Sequence, residues 1–141
     1  MELRISRAAI DEILSAAAAS PDAEICGLLL GAASARGPVV ERLRPCANVA
    51  ADPRDSFEVD PAALIAVHRA ARAGDAALIG HYHSHPGGCP EPSARDAAAA
   101  EPGSYWIIAG SGMLRAWYAD GGQADGQGRF RAVTIVEADN R

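Results

Sequence analysis

Residues 76–85, AALIGHYHSH, constrain the fold more than any other stretch of the chain. The apolar half reads as a buried strand, and the polar half sets histidine at three alternate positions. Side chains in a strand alternate between faces. His81, His83 and His85 therefore share one face, while Tyr82 and Ser84 point the other way. The chain then passes through PGGCPEP into Ser93-Ala94-Arg95-Asp96, where Ser93 opens a helix. Pro86, Pro90 and Pro92 stiffen the connection. A strand of the sheet must thus end in a polar cluster, with a stiff loop and a helix start folded back beside it.

The remaining patterns supply the sheet and its cover. Ser6 as N-cap and the spacing of Ile10, Ile13, Leu14 and Ala17 predict a helix over 7–19. EICGLLLG (24–31) and VVERLR (39–44) read as strands, 45–56 as a loop, and FEV (57–59) as a short strand. Asp60-Pro61 opens a helix that uses Leu64, Val67, His68 and Ala71 and stops at Gly74. The helix opened by Ser93 ends at Pro102-Gly103. YWIIAG, MLRAWYA and FRAVTIVE are three strands, separated by Ser111-Gly112 and by DGGQADGQG, which reads as a mobile loop. This order predicts an α/β (α+β) fold, a mixed β-sheet flanked by helices. With 141 residues, 49% of them hydrophobic, residues 1–141 read as a single domain with its own core.

Charge and cysteine usage narrow the function classes. The net charge is −5 with no basic run, which argues against a nucleic-acid partner. No run of 18 apolar residues occurs, so nothing is expected to span a membrane. MELRISRAAIDEI carries charges where a signal peptide needs an apolar centre, which predicts a cytoplasmic protein. Cys26, Cys46 and Cys89 are odd in number and form no CxxC pair, so they read as reduced thiols. Nothing in the sequence fixes an oligomeric state.

Two histidines at i, i+2 on a strand end can place two imidazoles on one zinc ion. Asp96, eleven residues after His85, is the nearest candidate for a third ligand. Two neutral imidazoles and one carboxylate leave a zinc site at net +1, which favours deprotonation of a bound water. Ser93-x-x-Asp96 is equally a capping box that needs no metal, and both readings can hold together. A structural zinc site would want four ligands rich in cysteine, and only three residues are well placed.

At this point the residues resemble the JAMM motif of the MPN-domain metallopeptidases. That pattern is an upstream glutamate, then His-x-His-Pro, six residues, and Ser-x-x-Asp. Here it reads Glu24 in EICGLLLG, His83-Ser84-His85-Pro86, GGCPEP, and Ser93-Ala94-Arg95-Asp96. The resemblance runs from the first helix to the last strands. It implies an MPN/JAMM fold, layered like that of cytidine deaminases. It also implies one Zn2+ per chain on His83, His85 and Asp96, with a water in the fourth position. Glu24 would act as the proton shuttle and Ser93 as a hydrogen-bond donor to the oxyanion. Amide hydrolysis needs those parts: an activated nucleophile, a proton for a poor leaving group, and stabilised charge on oxygen. His81 is outside the family's ligand set and reads as a second group near the metal or facing substrate. Cys89, on the loop between the ligands, is either a bystander or a thiol able to compete with water.

The same resemblance implies a zinc metallopeptidase that cleaves after the C-terminal Gly-Gly of a ubiquitin-like or sulfur-carrier protein of β-grasp fold. Conjugate removal and precursor trimming are both open. Only AAAAEPGSY separates Asp96 from the strand at Trp106, so the chain resembles the minimal bacterial and archaeal members. The main alternative is a non-catalytic MPN scaffold, though such domains usually lack the ligands present here. A zinc deaminase would need H-x-E and P-C-x-x-C, which are absent. A cysteine hydrolase built on Cys26 or Cys89 has no local motif to support it.

Overall fold

The computed structural model describes residues 1–121 and 129–138. The predicted loop DGGQADGQG lies largely outside these described residues. The described residues form seven strands and three helices in the order β1 (Glu2–Ser6), α1 (Arg7–Ala18), β2 (Cys26–Ala32), β3 (Val39–Cys46), α2 (Pro61–Arg72), β4 (Ala77–Ser84), α3 (Ala94–Ala99), β5 (Tyr105–Gly110), β6 (Met113–Ala119) and β7 (Phe130–Ala138). The strands hydrogen-bond in the order β1-β3-β2-β4-β5-β6-β7, and β7 returns to β1. The expected mixed sheet thus curls until its ends meet. β1 runs parallel to both β3 and β7, and β4 parallel to β5, while the other pairs are antiparallel.

Helix starts follow their caps. Ser6 Oγ accepts the Ala9 N–H at 3.1 Å, and Asp60 Oδ1 accepts the Ala62 N–H at 3.0 Å ahead of Pro61. Two expectations change. β1 was not expected: Leu3 and Ile5 are fully buried between exposed or half-buried neighbours, a period-two pattern too short to stand out before a helix. FEV is not a strand, because only Val59 pairs, in a single bridge to Asn48, while Phe57 turns toward the histidines.

Alternation along the strands separates two clusters. Leu29, Tyr82, Ile107, Ala109 and Ala116 meet Leu3 and Ile5 of β1 and Ile13 of α1 in the main core. Leu28, Leu30 and Val67 of α2 form a smaller cluster on the opposite side, with Leu64 and Leu78 against them. Gly27 is required by this packing, since a Cβ there would run into the Tyr82 ring. No helix of the described residues is long and apolar enough to cross a membrane.

Candidate metal and catalytic site

Sheet register brings the upstream glutamate to the histidines. In the antiparallel β2–β4 pair, Cys26 stands opposite His83. Glu24, two residues before Cys26, offers a carboxylate oxygen within 4.8 Å of ring nitrogens of His83 and His85. Ser84 locks the approach, donating its N–H to the Ile25 carbonyl at 3.1 Å and accepting the Ile25 N–H on Oγ at 2.9 Å. Tyr82 and Ser84 thus serve packing and alignment, while His81 and His83 face the other side with Phe57 and Trp106, as alternation predicts.

The stiff loop delivers Asp96. His85 donates its N–H to the Ala109 carbonyl at 2.8 Å, and Trp117 Nε1 donates to the Pro90 carbonyl at 3.0 Å. Trp117 of β6 therefore anchors the loop. At its end Ser93 and Asp96 form the capping box: Ser93 N–H to Asp96 Oδ2 at 2.9 Å, and Asp96 N–H to Ser93 Oγ at 3.1 Å. Capping uses Ser93 Oγ as an acceptor and leaves its hydroxyl proton uncommitted among the described residues.

Three donor atoms converge. His83 Nε2 lies 3.1 Å from His85 Nε2 and 3.3 Å from Asp96 Oδ2, and His85 Nε2 lies 3.1 Å from the same oxygen. Zinc bonds of about 2.0–2.1 Å in a tetrahedron require ligand atoms roughly 3.3 Å apart. His85 Nδ1 sits 2.9 Å from the Cys89 carbonyl, an acceptor only, so Nδ1 carries the proton and Nε2 presents its lone pair to the centre. His83 is held by stacking on Phe57 at 4.2 Å and 19°. Glu24, His83 and His85 also offer ligand atoms within 4.8 Å of one another, a looser grouping than the Asp96 triangle. The donor set fits a divalent cation.

Burial tunes each group. Glu24, His83 and Asp96 are buried, and His85 is partly exposed. Loss of hydration pushes the Glu24 carboxyl up to about 7, against the pull of His85 and with a further push from Asp96. Burial would raise Asp96, but its close pairing with the His83 and His85 imidazoles holds it well below the usual carboxylate range. Burial lowers His83, with Asp96 opposing. His85 is raised: burial works against the charged form, and Asp96 and the Cys89 carbonyl outweigh it. Glu24 Oε1, His83 Nδ1 and His81 Nε2 are buried without a hydrogen-bond partner.

His81 and Cys89 stand apart from the triangle. His81 packs on Trp106 at 4.1 Å with its ring 6.1 Å from that of His83, and burial pushes it down to about 3. Cys89 is exposed and addresses His85 through its carbonyl. Burial, reinforced by Cys46 and Glu24, pushes the Cys26 thiol up to about 12, the reverse of what a nucleophile needs. The residue that sequence reasoning passed over is Asn48, read only as part of a loop. Its side chain bonds the Glu24 carbonyl at 2.9 Å.

A hollow of about 390 Å³ opens over Glu24, His85 and Ser93. A second, of about 590 Å³, runs beside the site between Phe57–Val59 and Ala99–Ser104, floored by Gly80, His81 and Trp106. Such an arrangement can hold a cation, a proton shuttle and an extended chain side by side.

Comparison with known proteins agrees with this chemistry. A profile of the family described as prokaryotic homologs of the JAB domain matches residues 6–120. The chain is 40% identical over 111 residues to a desampylase of Haloferax volcanii, covering 75% of this chain and 78% of that one. It is 36% identical over 84 residues to a probable TtuB-protein conjugate cleaving protease of Thermus thermophilus, covering 60% of this chain and 57% of the other. A JAB1/MPN domain protein from Archaeoglobus fulgidus shares the fold, with TM-score 0.57 at 21% identity over 96% of this chain and 98% of that one.

Proposed function

From a chain that belongs to the prokaryotic homologs of the JAB domain and carries this donor set, we propose a zinc-dependent isopeptidase. Its substrate class is a ubiquitin-like or sulfur-carrier protein of β-grasp fold, cut after a C-terminal Gly-Gly. Residues 1–141 act as one catalytic domain, and the compartment proposed is the cytoplasm. The observation that carries the reading is the triangle of His83 Nε2, His85 Nε2 and Asp96 Oδ2, with Glu24 beside it and free of hydrogen bonds at Oε1. The desampylase and the conjugate-cleaving protease support the substrate class by likeness.

His83, His85 and Asp96 are assigned as the zinc ligands, because Asp96 is closer to both imidazoles than the Glu24 grouping requires. Zinc held there supplies Lewis acidity, lowering the pKa of a water toward about 7 and polarising the scissile carbonyl. Glu24 stays outside the ligand set and takes the proton from the attacking water. Its raised affinity for protons suits it to hand that proton to the departing amine. The hydroxyl of Ser93, anchored by the capping box, donates to the oxygen that gains negative charge. The hollow floored by Gly80, His81 and Trp106 takes the extended tail ahead of the scissile bond. Cys89 has no assigned role in the chemistry.

Zinc-loaded protein incubated with a β-grasp carrier joined through its Gly-Gly terminus to a lysine ε-amine should release free carrier. Chelation should stop the reaction, and zinc should restore it. A loaded protein that leaves both this conjugate and a Gly-Gly-extended precursor intact would contradict the proposal and favour a scaffold.

A further inference from the structure

Glu24 precedes β2, and neither of its backbone groups belongs to a strand ladder. Its N–H donates to the Pro53 carbonyl at 2.7 Å, and its carbonyl accepts from Asn48 Nδ2 at 2.9 Å. The main chain of the proposed base is therefore held by the segment that follows β3. Within that segment the Asn48 amide is the hub. Nδ2 also donates to the Ser56 carbonyl at 3.0 Å, while Oδ1 accepts the N–H groups of Ala50 and Glu58, each at 3.1 Å. Both amide protons and both acceptor directions of the oxygen are used. Only one orientation of the amide satisfies these partners, because two carbonyls lie on one side and two N–H groups on the other. The bonds to Ser56 and Glu58 flank Phe57, the ring that stacks on His83.

We infer that Asn48 is the positioning residue of the site: one side-chain amide sets the backbone of Glu24, the proposed base. The inference rests on the reading of Glu24 as proton shuttle. Asn48 touches no reacting atom in this account and acts through Glu24. Removing the amide strands four backbone groups and frees the Glu24 carbonyl, so the carboxyl loses its fixed approach. A misplacement of about 1 Å in a catalytic group can cost roughly 10²-fold in rate.

The test compares Asn48→Ala and Asn48→Asp with the zinc-loaded parent on the Gly-Gly–lysine conjugate. Asn48→Asp keeps the shape and the two accepting bonds and loses the donation to Glu24 and Ser56, so it covers the case in which Asn48→Ala fails to fold. Both variants should keep the parent's zinc content, because no proposed ligand bonds to Asn48. Turnover should fall about 10²-fold with KM within about threefold of the parent. In a Glu24→Gln background, Asn48→Ala or Asn48→Asp should lower turnover no further. Parent-like turnover in both single variants overturns the inference while leaving the isopeptidase reading intact. A full additional loss in the Glu24→Gln background also overturns it, by showing that the amide acts independently of Glu24. If Glu24→Gln itself turns over like the parent, the base assignment falls and this inference falls with it.

Discussion

The two faces of β4 are made by the same eight residues and meet opposite conditions. On one face Tyr82 fills the main core above Gly27, and Ser84 exchanges two hydrogen bonds with Ile25. On the other, His83 is buried and His81 half-buried, and each of these, like nearby Glu24, has a buried side-chain polar atom without a partner. An unpaired buried polar atom costs about 1–3 kcal/mol. One face therefore holds the barrel together, and the other carries a cost that the fold alone does not repay. Glu24 lies beside the point where two imidazoles and a carboxylate converge, and a cation there would turn the lone pairs clustered at His83 Nε2, His85 Nε2 and Asp96 Oδ2 into bonds.

The largest effects should come from the histidine face and leave the barrel standing. His83→Ala should reduce conjugate cleavage by at least about 10³-fold, with native circular dichroism. Cleavage near the parent rate would show that the face is not catalytic. Glu24→Gln should cost about 10²–10⁴-fold in turnover while zinc content holds. Ser93→Ala is expected to lose about 10²-fold in turnover if its hydroxyl serves the oxyanion. It should also lose about 1 kcal/mol in denaturant unfolding as a lost cap. The stability loss without the rate loss would reduce Ser93 to a helix cap.

The Tyr82 face should respond in the opposite sense. Gly27→Ala, which forces a methyl against the Tyr82 ring, should destabilise by about 1–3 kcal/mol, read by chemical denaturation. The folded fraction should still bind zinc. The smallest effect concerns pH in metal-free protein. The Glu24 carboxyl rises from 4.5 to about 7 on folding, so the folded state favours its protonated form. Any stability tied to that proton is complete below about 4.5 and is lost as pH climbs through 7. Metal-free Glu24→Gln should therefore gain Tm over the parent between about pH 5 and 8, by roughly 3–5 °C. A constant difference across that range would deny Glu24 its buried setting.

How much of this was legible in the sequence depends on the range of each interaction. The shared face of His81 and His83 follows from strand alternation, and the Ser93–Asp96 box from a local capping pattern. Glu24 was legible only through resemblance, because its place is set by the pairing of Cys26 with His83 across distant strands. Asn48 was opaque for the same reason: its four partners lie in three separate stretches of chain. β1 escaped notice because five residues before a helix carry little periodic signal, and its longest pairing is with β7 at the far end of the chain. FEV misled because strand propensity competes with tertiary demand, and here Phe57 is taken by His83.

In the proposed site Asp96, not Glu24, completes the ligand set with His83 and His85. Zinc per chain, measured by elemental mass spectrometry on the parent, Asp96→Ala and Glu24→Ala, tests it most directly. About one zinc is expected in the parent and in Glu24→Ala, and little in Asp96→Ala. Zinc retained by Asp96→Ala and lost from Glu24→Ala would contradict it and make Glu24 the ligand.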